Sequence, residues 1–162
     1  MIEVDQYAVV EKGHVYGLPY FILRRSLTFG SFLETKINDK QWYCGYVGVP
    51  SCHIMYRAGT STINMLAPGD VIGLTVAMSG DRVAIDCPAM AGFQVFGMDT
   101  MNFASANKEH KLDNVFQDAF QHEYLQGKTK ELARWLRSVR KNKKLQRKVA
   151  RLERWRLMWS GR

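Results

Sequence analysis

The sequence has no apolar run approaching the roughly 20 residues that a membrane-spanning helix needs. Its first residues, MIEVDQYAVVEKG, lack the basic-then-apolar order of a secretory leader. Only three cysteines occur, Cys44, Cys52 and Cys87, an odd number that argues against a disulfide framework and for reduced thiols in a cytoplasm. They are also spaced poorly for a metal. Cys44 and Cys52 are separated by seven intervening residues with His53 adjacent, and Cys87 is distant, whereas zinc sites pair their ligands closely. His110 and His122 are too far apart to chelate together, so no metal and no cofactor is expected. Neither G-x-x-x-x-G-K-[ST] nor G-x-G-x-x-G is present, which removes the common nucleotide cradles. No serine or cysteine lies in a nucleophile motif.

What is present is ordinary globular material, 46% hydrophobic and 12% aromatic over 162 residues, enough for one domain with a core. The pattern predicts an α+β fold in which an antiparallel, meander-like sheet of about five to seven strands over 5–98 is covered by a helix at 113–126. Tyr7–Val10, Tyr20–Arg24, Gln41–Val49 and Phe93–Met98 read as strands, and Ile37–Lys40 as a polar turn. Phe29–Leu33 resists assignment. Val71–Met78 and Arg82–Asp86 read as a β-hairpin joined at Ser79-Gly80-Asp81. Asp113 or Asn114 is expected to cap the helix, and Leu112, Val115, Phe116, Ala119 and Phe120 to face the sheet. Gly127 is expected to end it and Thr129 to cap the next helix, 129–140. That helix's stripe, Leu132, Trp135, Leu136 and Val139, fails at Lys141–Lys144. It resumes out of phase at Leu145, Val149, Leu152 and Trp155, so a break is expected before a last helix over 144–159.

Charge divides the chain more sharply than hydropathy does. Residues 1–127 carry nine basic and thirteen acidic side chains, and residues 128–162 carry fourteen basic and two, so the overall +8 is a body of −4 joined to a tail of +12. The division expected is an α+β domain, 1–127, followed by a basic helical tail in which 129–140 packs on the domain and 141–162 projects. Arg137, Arg140, Lys141, Lys143, Lys144, Arg147, Lys148, Arg151, Arg154 and Arg156 supply cations at intervals suited to phosphates. Trp155 and Trp159 supply indoles that can stack on unpaired bases. RNA or DNA fits this density, and an acidic protein or ribonucleoprotein surface fits its charge equally. An anionic membrane ranks below both, because the apolar cluster at Trp155–Trp159 is short.

The string GYVGVP at Gly45–Pro50, followed by His53 and Tyr56, resembles an uncharacterised family of small bacteriophage proteins. The segment VFGMDTMN, Val95–Asn102, is similar to a later FGFDCAH-like element of that family, and Tyr124–Leu136 to its final helix. Ile54, Arg57 and Asn102 depart from the family pattern, which has Pro, Gly and His there. The resemblance implies a phage or mobile-element origin, an α+β fold and a cytoplasmic site in a bacterial host, and no established activity.

One constellation stands beside the tail. His53, with Asp99 to orient it and Arg57 to hold an anion, composes a candidate acid–base site for a phosphate-bearing substrate. The favoured reading of the same residues is structural, His53 and Tyr56 closing a loop through hydrogen bonds and Asp99 and Asn102 capping a turn. The favoured reading is a non-enzymatic accessory protein of phage type that binds nucleic acid, or a nucleic-acid-containing host machine such as a defence complex it inhibits. The alternatives are a His/Asp enzyme and an assembly protein pairing with another copy through its C-terminal helices.

Overall fold

The computed structural model describes residues 2–30, 38–68, 76–100 and 114–160; the side chains of 2–6, 27–30, 38–40 and 114–118 lie outside that description. The chain is α+β. Strands β1 (Ile2–Val15), β2 (Leu18–Gly30), β3 (Asn38–Val49), β4 (Val76–Ser79) and β5 (Gln94–Asp99) form one antiparallel sheet in the order β1-β2-β3-β5-β4. The α-helices among the described residues are, in chain order, α1 (Thr60–Leu66), which lies between β3 and β4, α2 (Asn114–Lys141) and α3 (Lys143–Ser160).

β1 and β2 join through Tyr16-Gly17, both at positive φ (52° and 77°), the backbone of a two-residue turn whose twist matches its strands. β3 is central and buried on both faces from Trp42 to Val49. Its alternate side chains serve two cores. Tyr43, Val47 and Val49 join Phe96 and Met98 beneath α2, while Trp42, Cys44 and Tyr46 join Phe21, Val95, Cys87 and Met90 on the other side.

Several local expectations are corrected. Lys40, placed in a polar turn, belongs to β3 with Asn38 and Asp39; Ile37 lies outside the described residues. The expected hairpin does not form within the described residues. β4 pairs with β5, Val76 opposite Gly97, and of the expected second strand Arg82 ends a 3-10 turn while Val83–Asp86 is turn. The reason lies in what meets the turn: the Gly80 amide donates to the Phe93 carbonyl (2.7 Å) across the sheet, and the Ser79 hydroxyl accepts from the Asp81 amide, which starts a 3-10 turn at Gly80–Arg82 instead of a return strand. Val71–Thr75 lie outside the described residues.

Gly127 does not end α2, which runs on through it for 28 residues. Thr129 is not a cap. It is buried within the helix, and its hydroxyl donates to the Leu125 carbonyl one turn back (2.7 Å). Tertiary packing decides this. A Cβ on Gly45 of β3 would overlap the Thr129 hydroxyl and come within 3.2 Å of Leu125, so the bare glycine lets α2 lie directly on β3. The seated face is Leu125, Leu132, Ala133, Leu136 and Val139. Ala119 and Phe120, expected on that face, are exposed; Leu112, Val115 and Phe116 lie outside the described side chains. Gln121 is buried instead, accepting from the Thr100 hydroxyl (3.1 Å).

Two glycines separate packing from propensity. Gly45→Ala is expected to destabilise by about 1–3 kcal/mol through overpacking. Gly127→Ala, where a Cβ meets nothing within 4 Å, is expected to stabilise by about 0.5–1 kcal/mol. Urea unfolding of the two variants reads both.

Candidate nucleic-acid interface

The last helix owes its orientation to its first turn. Asn142 separates α2 from α3, and its side-chain oxygen accepts from the Leu145 amide (3.0 Å), an ordinary N-cap. The Gln146 amide group reaches back to the Val139 and Arg140 carbonyls (3.1 and 2.7 Å), satisfying acceptors that α2 leaves open as it ends. The break anticipated at Lys141–Lys144 is therefore a double-capped corner.

From that corner α3 returns to the domain. Val149 is 0% exposed and joins the core beneath α2, with Leu145 packed against it. Glu153 accepts from the Thr62 hydroxyl of α1 (2.5 Å) and from the Nε of Arg156 (2.9 Å). Arg156 also donates to the Arg57 carbonyl (3.0 Å). The segment expected to project is docked along one side, and Arg156, expected to bind nucleic acid, is engaged in the docking.

Docking sorts the remaining side chains. At 100° per residue, the side of α3 opposite Val149 carries Lys143, Lys144, Arg147, Arg151, Arg154, Trp155 and Met158, all exposed. Glu153, the single acid of α3, is turned inward. Glu131 of α2 pairs with Arg134 (2.5 Å), and both side chains lie well in solvent. Among the described residues no carboxylate pairs with Arg137, Arg140, Lys141, Lys143, Lys144, Arg147, Lys148, Arg151 or Arg154. Arg140 and Lys141 precede the corner and Lys143 and Lys144 follow it, so the four cations crowd about Asn142. At a side-chain spacing of about 5–6 Å along each row, the outer face presents fixed positive charge with nothing acidic between.

His53 and Asp99 are not brought together. Asp99 lies opposite Cys44 in the sheet register, on the face of Cys44, Tyr46 and Val95. His53 lies beneath α2, on the other face, its Nε2 donating to the Leu136 carbonyl (2.8 Å) and its Nδ1 accepting from the Met55 amide (3.1 Å). These bonds occupy both ring nitrogens and fix the neutral tautomer. Burial, foremost, pushes His53 below its ordinary value of 6.5; the Arg140 cation acts the same way and the Leu136 bond opposes. Of the two roles open to it in the sequence, His53 takes the structural one and fastens the 50–58 loop to α2. The Tyr56 hydroxyl reaches the Gly92 carbonyl (3.3 Å), the Arg57 side chain is exposed, and Asn102 lies outside the described residues.

A second titratable cluster is also structural. Glu11 accepts from the Tyr20 hydroxyl (2.5 Å) and the Gln126 amide (2.6 Å), with His122 at 3.5 Å, tying the β1–β2 hairpin to α2. Bonding to Glu11, with burial second, pushes the Tyr20 phenol up to about 12. All three cysteines are free, Cys44 and Cys87 buried and Cys52 exposed. Among the described residues no His, Cys, Asp and Glu side chains gather as a metal set, and no helix is long and apolar enough to cross a membrane.

No protein-family model matches this sequence, and neither a curated protein nor a solved structure matches it. Its function must be argued from its own surface.

What sequence reasoning missed is α1. TSTINML has no acid in its first turn, and its N-cap, Gly59, has no side chain to bond. Yet it holds Thr62, to which α3 bonds.

The histidine latch has a pH signature. Because the folded-state value of His53 lies below the unfolded one, its contribution is full above 6.5 and is lost as pH falls through the folded value. The melting temperature is expected to drop on acidification from about pH 7 to 5, and the drop to shrink in His53→Gln, which calorimetry measures.

Proposed function

We propose that this protein is a non-enzymatic nucleic-acid-binding protein whose binding surface is the outward face of α3 together with the basic end of α2. The observation that carries the reading is that docking turns Val149 and Glu153 inward and leaves Lys143, Lys144, Arg147, Arg151 and Arg154 exposed on the far side, paired with no carboxylate among the described residues. A folded chain carries such a concentration of like charge at an electrostatic cost, which salt screens and a polyanion removes. Phosphates meeting these side chains release condensed counterions, so affinity falls steeply with salt. The placement of His53 and Asp99 on opposite sheet faces speaks against the enzyme reading.

The motif at Gly45–Pro50 supports a phage-type accessory protein as the setting. In such a setting a nucleic-acid-binding arm on an acidic body suits a protein that attaches to a host nucleic-acid machine and obstructs it. Within the chain, the motif's residues do structural work: Gly45 seats α2, and His53 latches to it.

Replacing Lys144, Arg147, Arg151 and Arg154 together by Gln, all exposed, is expected to leave the fold intact. It is expected to reduce the slope of log K against log salt by about one for each phosphate that is no longer neutralised. Fluorescence anisotropy with labelled DNA and RNA across a salt series measures this. An unchanged slope removes the basic face as the binding surface.

A further inference from the structure

The exposed surface of α3 does not end in charge. Trp155 and Trp159 are 62% and 60% exposed, and Leu157 and Met158 beside them are exposed as well. Trp42 and Trp135, by contrast, are buried. The two exposed indoles stand one helical turn apart with ring centroids 5.5 Å from each other and planes inclined at 51°. They are not isolated from the cations. Counting 100° per residue, Lys144, Lys148, Arg151, Trp155 and Trp159 fall in one stripe along α3, about 80° wide. The stripe is about 22 Å long at 1.5 Å per residue, with charge at its corner end and two indole faces at the other.

Resting on the nucleic-acid reading above, we infer that the ligand of this face is single-stranded, its phosphates following the Lys144–Lys148–Arg151 row and its bases stacking on Trp155 and Trp159. Duplex recognition needs only the cations, because paired bases hide their faces within the stack. An unpaired strand offers a π-face at every nucleotide and a flexible backbone that can follow one helical stripe. The rings, each more than half exposed and inclined to one another, leave indole surface on which a base can stack. Charge complementarity distinguishes this occupant from a second copy of the chain, whose own α3 would bring like charge against like. A lipid surface fits less well because Arg151 and Arg154 interrupt the outer side that carries Trp155 and Met158, leaving no continuous apolar face to insert. An acidic peptide meets the charge but has no regular series of flat rings for the indoles.

The test uses the full-length protein with oligothymidylate, oligouridylate and a DNA duplex of matching length, at one salt concentration. Binding is followed by anisotropy and by quenching of intrinsic indole emission, to which the two exposed tryptophans contribute the accessible part. The expected results are tighter binding of the single strands, quenching on their addition, and a loss of about tenfold in single-strand affinity for Trp155→Ala or Trp159→Ala. The salt slope and duplex affinity are expected to stay unchanged. Trp155→Phe, which keeps a stacking face, is expected to fall between, and circular dichroism melts confirm that each variant is folded. Equal binding of single strand and duplex with no effect of the Trp variants overturns the single-strand inference while leaving phosphate binding standing. Absence of binding to all three probes overturns the underlying reading as well. Conversion of a dimer to a monomer by Trp155→Ala, seen by light scattering, overturns the inference by assigning the indoles to self-association.

Discussion

The inward seating of Val149 beneath α2 constrains everything on the distal side of the molecule. A basic helix detached from its domain would be charged on nearly every side and have no preferred face. Fastened at Val149, with Glu153 bonded to Thr62 and Arg156 to the Arg57 carbonyl, α3 has an inside and an outside. The corner at Asn142 makes this possible, because it redirects the chain while Gln146 satisfies the carbonyls that α2 leaves open. The domain therefore orients the charge, and the charge density supplies the chemistry.

The same dependence runs back into the sheet. α2 can support α3 only because it lies close on β3, and it lies close because Gly45 has no side chain where Thr129 and Leu125 pack. His53 then fastens the loop after β3 to the Leu136 carbonyl of the same helix. Gly45 of the GYVGVP string and the following His53, a candidate acid–base group in the sequence, both serve to seat the helix. This explains why a histidine with both ring nitrogens bonded and its proton affinity lowered by burial is present without a carboxylate beside it.

Much of this was legible in the residues. β-Branched and aromatic runs marked β2, β3 and β5 because those strands pack into the core, and they marked the edge strand β1 although Tyr7 and Val10 are exposed there. The out-of-phase restart at Leu145 and Val149 marked the corner, since a continuous helix could not keep both stripes on one side. The charge split needed no structure. The misreadings share a cause, which is that tertiary contact overrode local preference. Gly127 and Thr129 look like a helix end and a new cap, but packing on β3 carries α2 through both. Ser79-Gly80-Asp81 looks like a hairpin turn, but the Phe93 carbonyl takes the Gly80 amide. The docking of α3 stayed hidden because its partner α1 has neither a side-chain cap nor acids in its first turn, and a stripe does not announce what it packs against.

The central claim is that nucleic acid is held by the outward face of α3. Photo-crosslinking of the full-length protein to a thiouridine-bearing strand, followed by mass-spectrometric mapping of the adducts, tests it most directly. The account predicts adducts concentrated on peptides within 143–160, at Trp155 and Trp159 above all, and suppressed by high salt. Adducts concentrated on the sheet or the β1–β2 hairpin, or none above a scrambled-tail control, would contradict it.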